Sequence, residues 1–355
     1  MAEHPEQDEQ DEQDEHQEQR PRRVVVAGAS GFIGRAVVAS FRDRHDDVTV
    51  IGRRATGGAA AAGSVTWDDP MALAAAVDGA DVVINLAGKS VDCRYTDRNR
   101  DEILRSRVDT TRALRTAVAA ASRPPAVWLN ASTATIYRHR MDAANTESAG
   151  ELGQGFSVDV ARAWEAEFFA DDLPGTRRVA LRMAIVVGDG PATRTLATLA
   201  RMGLGGPQID GWWPQHRRYR GIGPRPSGDG RAPHRRTRGR QRFSWVHVDD
   251  VVAAIHFLVA HAELEGVVNV AAPTASDNRE LMRTLRRIVG VPIGIPAYRW
   301  MLEPAMWALR TEPELILKSR WVEPQRLNVA GFTFGHTELE EALRAALAGR
   351  VGARG

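Results

Sequence analysis

Short apolar runs alternate with longer, helically periodic segments along most of this chain, and the alternation predicts strands separated by helices. The run Val24–Ala27 reads as a buried strand, and the periodic segment opening at Phe32 reads as a helix. Further strands are predicted at Val48–Ile51, at Ser64–Trp67 before a short helix from Pro70, and at Asp81–Leu86 running into Ala87–Gly88. The segment Thr96–Ala121 sets Leu104, Val108, Leu114 and Val118 on one stripe and predicts a long helix that Pro124–Pro125 end. Ala126–Ala131 and Arg177–Val187 read as buried strands on either side of a helix Val158–Ala170. Strands alternating with helices predict an α/β fold with a doubly wound parallel sheet. From Ala192 the pattern becomes irregular. It resumes with a strand Phe243–Val248, a helix Asp249–His261, a strand Val267–Val270 and a helix Asp277–Val289 with Ser276 as its N-cap. The turn Gly331–Phe334 then leads to a terminal helix from Thr337.

The junction between the first strand and helix carries the most chemistry. Gly28, Gly31 and Gly34 stand three apart in GASGFIG. The first permits a tight turn, the second lets backbone approach a pyrophosphate, and the third lets helix and strand pack closely. The helix N-terminus then offers free N–H groups and a positive dipole end to phosphates. With a strand before and a helix and second strand after, the turn predicts a Rossmann-type dinucleotide site built by Gly28, Ser30, Gly31, Phe32, Ile33 and Gly34. Arg53 and Arg54 end the second strand, where an NAD site places Asp or Glu. Arginine suits a 2′-phosphate through bidentate, charge-assisted bonds, so NADP(H) is favoured over NAD(H); the alternative is two ordinary surface arginines.

Composition adds boundaries. The net charge of +2 conceals an acidic stretch over residues 1–19 and an arginine-dense, Gly/Pro-rich stretch over 214–242. The first cannot bury enough apolar surface to fold and is expected to be disordered to residue 21. The second lacks regularly interleaved aromatics and any nucleic-acid motif, so a solvated insertion is expected rather than a nucleic-acid site. The expected organisation is a cofactor domain over 22–190, with 243–272 returning to it, and a smaller C-terminal α+β substrate lobe over 191–355. No apolar run reaches the ~18 residues of a membrane span. The single cysteine, Cys93, excludes an internal disulfide and fits a reducing cytoplasm. Lys89 and Lys318 are the only lysines.

These pieces resemble extended short-chain dehydrogenases/reductases of the epimerase/dehydratase superfamily, through GASGFIG, NLAG (Asn85–Gly88), Ser132 with Tyr137 beyond, and VHVDD (Val246–Asp250). A narrower resemblance rests on SRVDTTRAL (Ser106–Leu114), LRMAIVVGDG (Leu181–Gly190), GLGGP (Gly203–Pro207), RFSWVHVDD (Arg242–Asp250) and AGFTFGHTELEEAL (Ala330–Leu343). It is to the atypical "epimerase family" subgroup with a C-terminal domain of unknown function, some members of which bear a cell-division-inhibitor label. The resemblance implies that Leu86, Ala87, Gly88 and Lys89 lie against the cofactor. It also implies nicotinamide-dependent redox or sugar-nucleotide-type epimerisation of a small polar substrate.

The catalytic signature of those enzymes is missing. They pair a serine with a tyrosine and a lysine four residues later, the lysine lowering the phenol's pKa. Four residues beyond Tyr95, Tyr137, Tyr219 and Tyr298 stand Asn99, Met141, Gly223 and Leu302. The pair is expected just after Gly155, where Phe156 or Ser157 and Val160 or Ala161 stand instead. Ser132 and Tyr137 are the catalytic candidates left: Ser132 binds a carbonyl or is structural, and Tyr137 packs or shapes the substrate. Lys89 binds ribose or phosphate or is simply exposed, His139 is a proton-shuttle candidate, and His247 is expected to be structural. No His/Cys/Asp/Glu cluster has metal-ligand spacing along the sequence. The alternative to an enzyme is an NADP(H)-dependent sensor without turnover.

Overall fold

The first strand, β1 (Arg23–Ala27), is an interior strand of a sheet covered on both faces, which suits its being apolar after Arg23. Val24 and Val26 face the helices Phe32–Asp43 and Val248–Ala260, packing with Val37, Phe41, Val251 and Leu258. Val25 and Ala27 face the helices Pro70–Val77, Asp97–Ala120 and Phe156–Phe168, packing with Leu73, Val77, Leu114 and Phe168. The computed structural model describes residues 20–54, 63–212, 236–308 and 317–348; the acidic stretch 1–19 and most of 214–242 lie outside the described residues.

The remaining sheet strands are β2 (Asp47–Gly52), β3 (Ser64–Thr66), β4 (Val82–Asn85), β5 (Val127–Thr133), β6 (Arg177–Met183) and a last one, Gly266–Val270. The order across the sheet is Gly266–Val270, β6, β5, β4, β1, β2, β3, with every neighbour parallel. The winding direction reverses between β1 and β4, so their carboxyl ends open the crevice in which such sheets bind ligands.

Three expectations need correction. Arg177–Val187 is not one strand: the chain leaves the sheet at Ala184, and Ile185–Val187 pairs instead with Trp245–His247. Asp277 rather than Ser276 caps the helix Asn278–Val289, its carboxylate accepting the Glu280 N–H at 2.9 Å, while Ser276 pairs with Phe243. The irregular stretch after Ala192 contains the helix Pro191–Leu199, continued by a wider turn to Leu204 that contains Gly203 at φ 76°.

The C-terminal part has its own apolar cluster, in which Leu281 and Leu285 meet Leu339, Leu343, Val187 and Trp245. Two carboxylates tie it to the sheet. Glu147 accepts the N–H groups of Asn269, Gln325 and Arg326 at 2.8, 3.1 and 3.4 Å. Asp250 accepts those of Gly335 and His336 at 2.6 and 3.1 Å. No helix of the described residues is long and apolar enough to cross a membrane.

His256 makes one face of the sheet sensitive to acid. Its ring lies 4.2 Å from that of Phe41, and its Nε2 bonds the Ser40 hydroxyl at 2.8 Å. Burial, reinforced by Arg44 and Arg22, pushes its pKa down to about 4. The unfolded chain takes up this proton near pH ~6.5, before the folded one does. This residue's contribution is therefore complete above that pH and is lost progressively as pH falls toward about 4. Urea unfolding across that range should show His256→Gln with a flatter acid limb than the parent; parallel limbs would contradict the assignment.

Candidate cofactor site

Gly28 leaves β1 at φ 83°, a left-handed conformation that a side chain strains. Space forbids one as well: a Cβ there would lie 2.6 Å from the Leu86 carbonyl carbon and oxygen. Its N–H donates to Ile51 O at 3.2 Å, which holds the end of β2 against the turn. Gly31 is the N-cap of the helix Phe32–Asp43 with no side-chain cap, and the first turn has no acidic residue. The helix start thus presents N–H groups without a side-chain acceptor, the arrangement that suits an anion. Gly34 brings the helix onto the turn, since a Cβ on it would stand 2.3 Å from Gly28 O.

The other predicted residues fall around this end. Ser30 is exposed on the loop and Arg35 in the first turn of the helix Phe32–Asp43, and Arg35 Nη1 donates to Ser30 O at 2.7 Å. Phe32 packs under the Gly188–Gly190 turn, where a Cβ on Gly188 would meet its ring at 2.5 Å. Ile33 packs against the core. Arg53 and Arg54 are exposed immediately after β2, within three residues of the Ile51 carbonyl that Gly28 engages. Arg35 is a further cation at the turn that sequence reasoning passed over.

Across the crevice, Asn85 is fully buried and fixes the β4 exit. Its Oδ1 accepts the Ala87 N–H at 3.1 Å, and its Nδ2 donates to Asn130 Oδ1 at 2.7 Å and Thr111 Oγ1 at 3.1 Å. Trp164 Nε1 donates to the same threonine at 3.0 Å. Gly88 lies against Arg107, whose Cζ would be 3.2 Å from a Cβ there. Arg107 Nη1 donates to Lys89 O at 3.1 Å and Ile103 O at 3.0 Å, and the guanidinium lies 5.1 Å from the Trp164 ring centre. Burial pushes its pKa down to about 10, still charged at neutral pH. The Lys89 ammonium group donates to Asn99 and Glu102. Arg107 was missed because its approach to Gly88 is made across a helix.

Ser132 and Tyr137 belong to one buried polar network. Ser132 Oγ donates to Glu165 Oε1 at 2.5 Å, and Arg182 clamps that carboxylate with Nε at 2.8 Å and Nη2 at 2.7 Å. Arg182 Nη1 also donates to the Tyr137 hydroxyl at 3.0 Å, which in turn donates to Asn269 Oδ1 at 2.9 Å. Burial opposes the charge on Arg182, but Glu165 and Tyr137 outweigh it and raise its pKa. Burial raises that of Tyr137, partly offset by Arg182. Both candidate hydroxyls therefore bond protein groups, and Tyr137 is 2% exposed. Neither Glu165 nor Arg182 was singled out from sequence.

Where the resemblance places a tyrosine and lysine, Phe156, Val160 and Ala161 are buried and Ser157 half-buried. The Phe156 ring meets that of Tyr95 edge-on, with centres 4.8 Å apart. His139 Nδ1 accepts the Ser319 N–H at 2.9 Å. Lys318, to which sequence reasoning gave no role, is buried with Nζ donating to Thr135 O at 2.6 Å, three residues past Ser132. Although sequence spacing shows no metal-ligand cluster, the fold gathers His247, Asp249 and His336.

Comparison with known proteins agrees with this architecture. Residues 24–271 match the NAD dependent epimerase/dehydratase family, and residues 299–346 match a domain of unknown function, DUF1731. Epimerase family protein SDR39U1 of Bos taurus is 28% identical over 333 residues, covering 92% of this chain and all of the relative. Epimerase family protein YfhF of Bacillus subtilis is 26% identical, covering 92% and 98%. The crystal structure of human SDR39U1 with NADPH superposes with a TM-score of 0.74 at 26% identity, covering 92% of this chain and 99% of that one. MoeE5 in complex with UDP-glucose and NAD, at 20% identity and a TM-score of 0.67, shares the fold. With its glycine turn, parallel sheet and match over residues 24–271, this chain belongs to the NAD dependent epimerase/dehydratase family.

Proposed function

We propose that the chain binds NADP(H) in preference to NAD(H) and works as a reductase or sugar-nucleotide-type epimerase. It would act on a small polar substrate held by the C-terminal residues. The observation that carries the cofactor reading is the uncapped helix start at Gly31 with Arg53 and Arg54 at the end of β2. A helix end takes the pyrophosphate, and two exposed guanidinium groups suit a 2′-phosphate where a carboxylate would repel it. The relative solved with NADPH supports this reading. The lone cysteine supports a reducing cytoplasm as its setting.

Calorimetric titration tests the preference. The parent should bind NADPH more tightly than NADH, and the double variant Arg53→Ala/Arg54→Ala should lose roughly ten- to hundredfold for NADPH, the equivalent of ~1.4–2.8 kcal/mol. NADH affinity should change little. An equal loss for both cofactors would overturn the 2′-phosphate assignment.

A second reading, a cofactor-dependent sensor without turnover, draws on the engaged hydroxyls of Ser132 and Tyr137 and the apolar Phe156, Val160 and Ala161. It expects NADPH binding without hydride transfer to any member of a carbonyl panel. Consumption of NADPH at a rate that depends on one panel member decides for the enzyme.

A further inference from the structure

Among the groups outside the cofactor crevice, one combines ligand chemistry with ligand geometry. His247 ends the strand Trp245–His247, Asp249 lies in the first turn of the helix Val248–Ala260, and His336 stands just before the terminal helix Leu339–Ala348. The Asp249 Oδ2 atom lies 3.3 Å from His247 Nδ1 and 3.7 Å from His336 Nε2. The three donor atoms all fall within 4.8 Å of one another. Zinc bonds to nitrogen or oxygen of about 2.0–2.1 Å place tetrahedral ligands about 3.4 Å apart, so the two measured separations are near those of a tetrahedral edge.

We propose that His247, Asp249 and His336 bind one divalent ion of the zinc class, with water completing the tetrahedron. Two imidazoles and a carboxylate suit a borderline ion better than magnesium or calcium, which prefer oxygen ligands.

The surroundings prepare the site. The Asp249 N–H approaches His247 Nδ1 at 3.3 Å, holding the tautomer in which that nitrogen has a free lone pair; the ion takes the place of this long contact. Asp250 grips the N–H groups of Gly335 and His336, which fixes the backbone carrying the third ligand. The imidazoles lie 4.0 Å apart between centres. Within this pair, His247 Nε2 and His336 Nδ1 are buried without a hydrogen-bond partner among the described residues. The other nitrogen of each ring, His247 Nδ1 and His336 Nε2, is the one turned to Asp249 and offered to the ion. The ligands come from both family-matched regions, so the ion staples residues 299–346 to residues 24–271.

The test uses the full chain, stripped with a chelator and titrated with Zn²⁺, then with Co²⁺ for its visible spectrum. The parent should take up one tight equivalent, show the intense absorption of tetrahedral cobalt, and melt at a higher temperature when loaded. Asp249→Asn alters a side chain that is 71% exposed, so its metal-free melting should match the parent's, while His336→Ala removes a largely buried ring and is compared by its metal binding alone. Each should weaken the tight equivalent at least tenfold and remove the tetrahedral spectrum. Absence of a tight equivalent in the parent would overturn the proposal. So would retention of the same binding by both variants, which would place the ion on other histidines such as His4, His16, His216 or His234.

Discussion

Replacing Arg182 by methionine is expected to lower the free energy of unfolding by about 3–5 kcal/mol, the usual consequence of leaving one member of a buried ion pair alone. The Glu165 carboxylate takes two bonds from that guanidinium, at 2.8 and 2.7 Å, and both side chains are 11% exposed. Without Arg182, Glu165 keeps only the Ser132 hydroxyl among the partners described here, and Tyr137 loses its donor. Urea unfolding of the purified variant measures the loss. The double variant Glu165→Leu/Arg182→Met should recover much of it, because removing both charges removes the unpaired one. A single variant within ~1 kcal/mol of the parent would show that the pair contributes no more than an exposed one.

Gly34→Val should abolish measurable cofactor binding while disturbing the fold much less. The nearest atoms to a Cβ at this position are Gly28 O at 2.3 Å and Ala29 Cα at 2.9 Å, both backbone, so no rotamer change relieves the clash. The helix must back away from the turn, withdrawing its N–H groups from the phosphates. Loss of ~3 kcal/mol of phosphate contact weakens NADPH by roughly a hundredfold or more. Overpacking costs about 1–3 kcal/mol of stability. Titration calorimetry and urea unfolding on the same sample separate the two effects, and near-parental NADPH affinity would refute the close-approach role of Gly34.

These two sites show what the sequence made legible. The glycine turn was readable because its geometry is local: spacing of three within one strand–helix junction dictates where a side chain cannot go. The alternating apolar runs likewise gave the sheet and its helices, since each β1 residue is assigned to a face by simple alternation. The Ser132 network was not readable. Its members Glu165, Arg182 and Asn269 are brought together by strand pairing and a helix crossing, and no spacing along the chain encodes their distances. The break at Ala184 was hidden for the same reason. Ile185–Val187 stays apolar across it and merely changes partner, to Trp245–His247. His336 stands 89 positions after His247, beyond any motif window.

Glu147 and Asp250 also have a history during synthesis. Gln325, which donates to Glu147, follows it by 178 residues, and Gly335, which donates to Asp250, follows by 85. At the ~5–20 residues per second of translation, those donors arrive roughly 9–36 s and 4–17 s later. The whole stretch matching the dinucleotide-binding family is made well before its carboxylates meet these amides. A nascent chain that has reached residue 271 holds the Glu147–Asn269 bond of its final strand but still lacks the amides of Gln325, Arg326, Gly335 and His336 that complete both clasps.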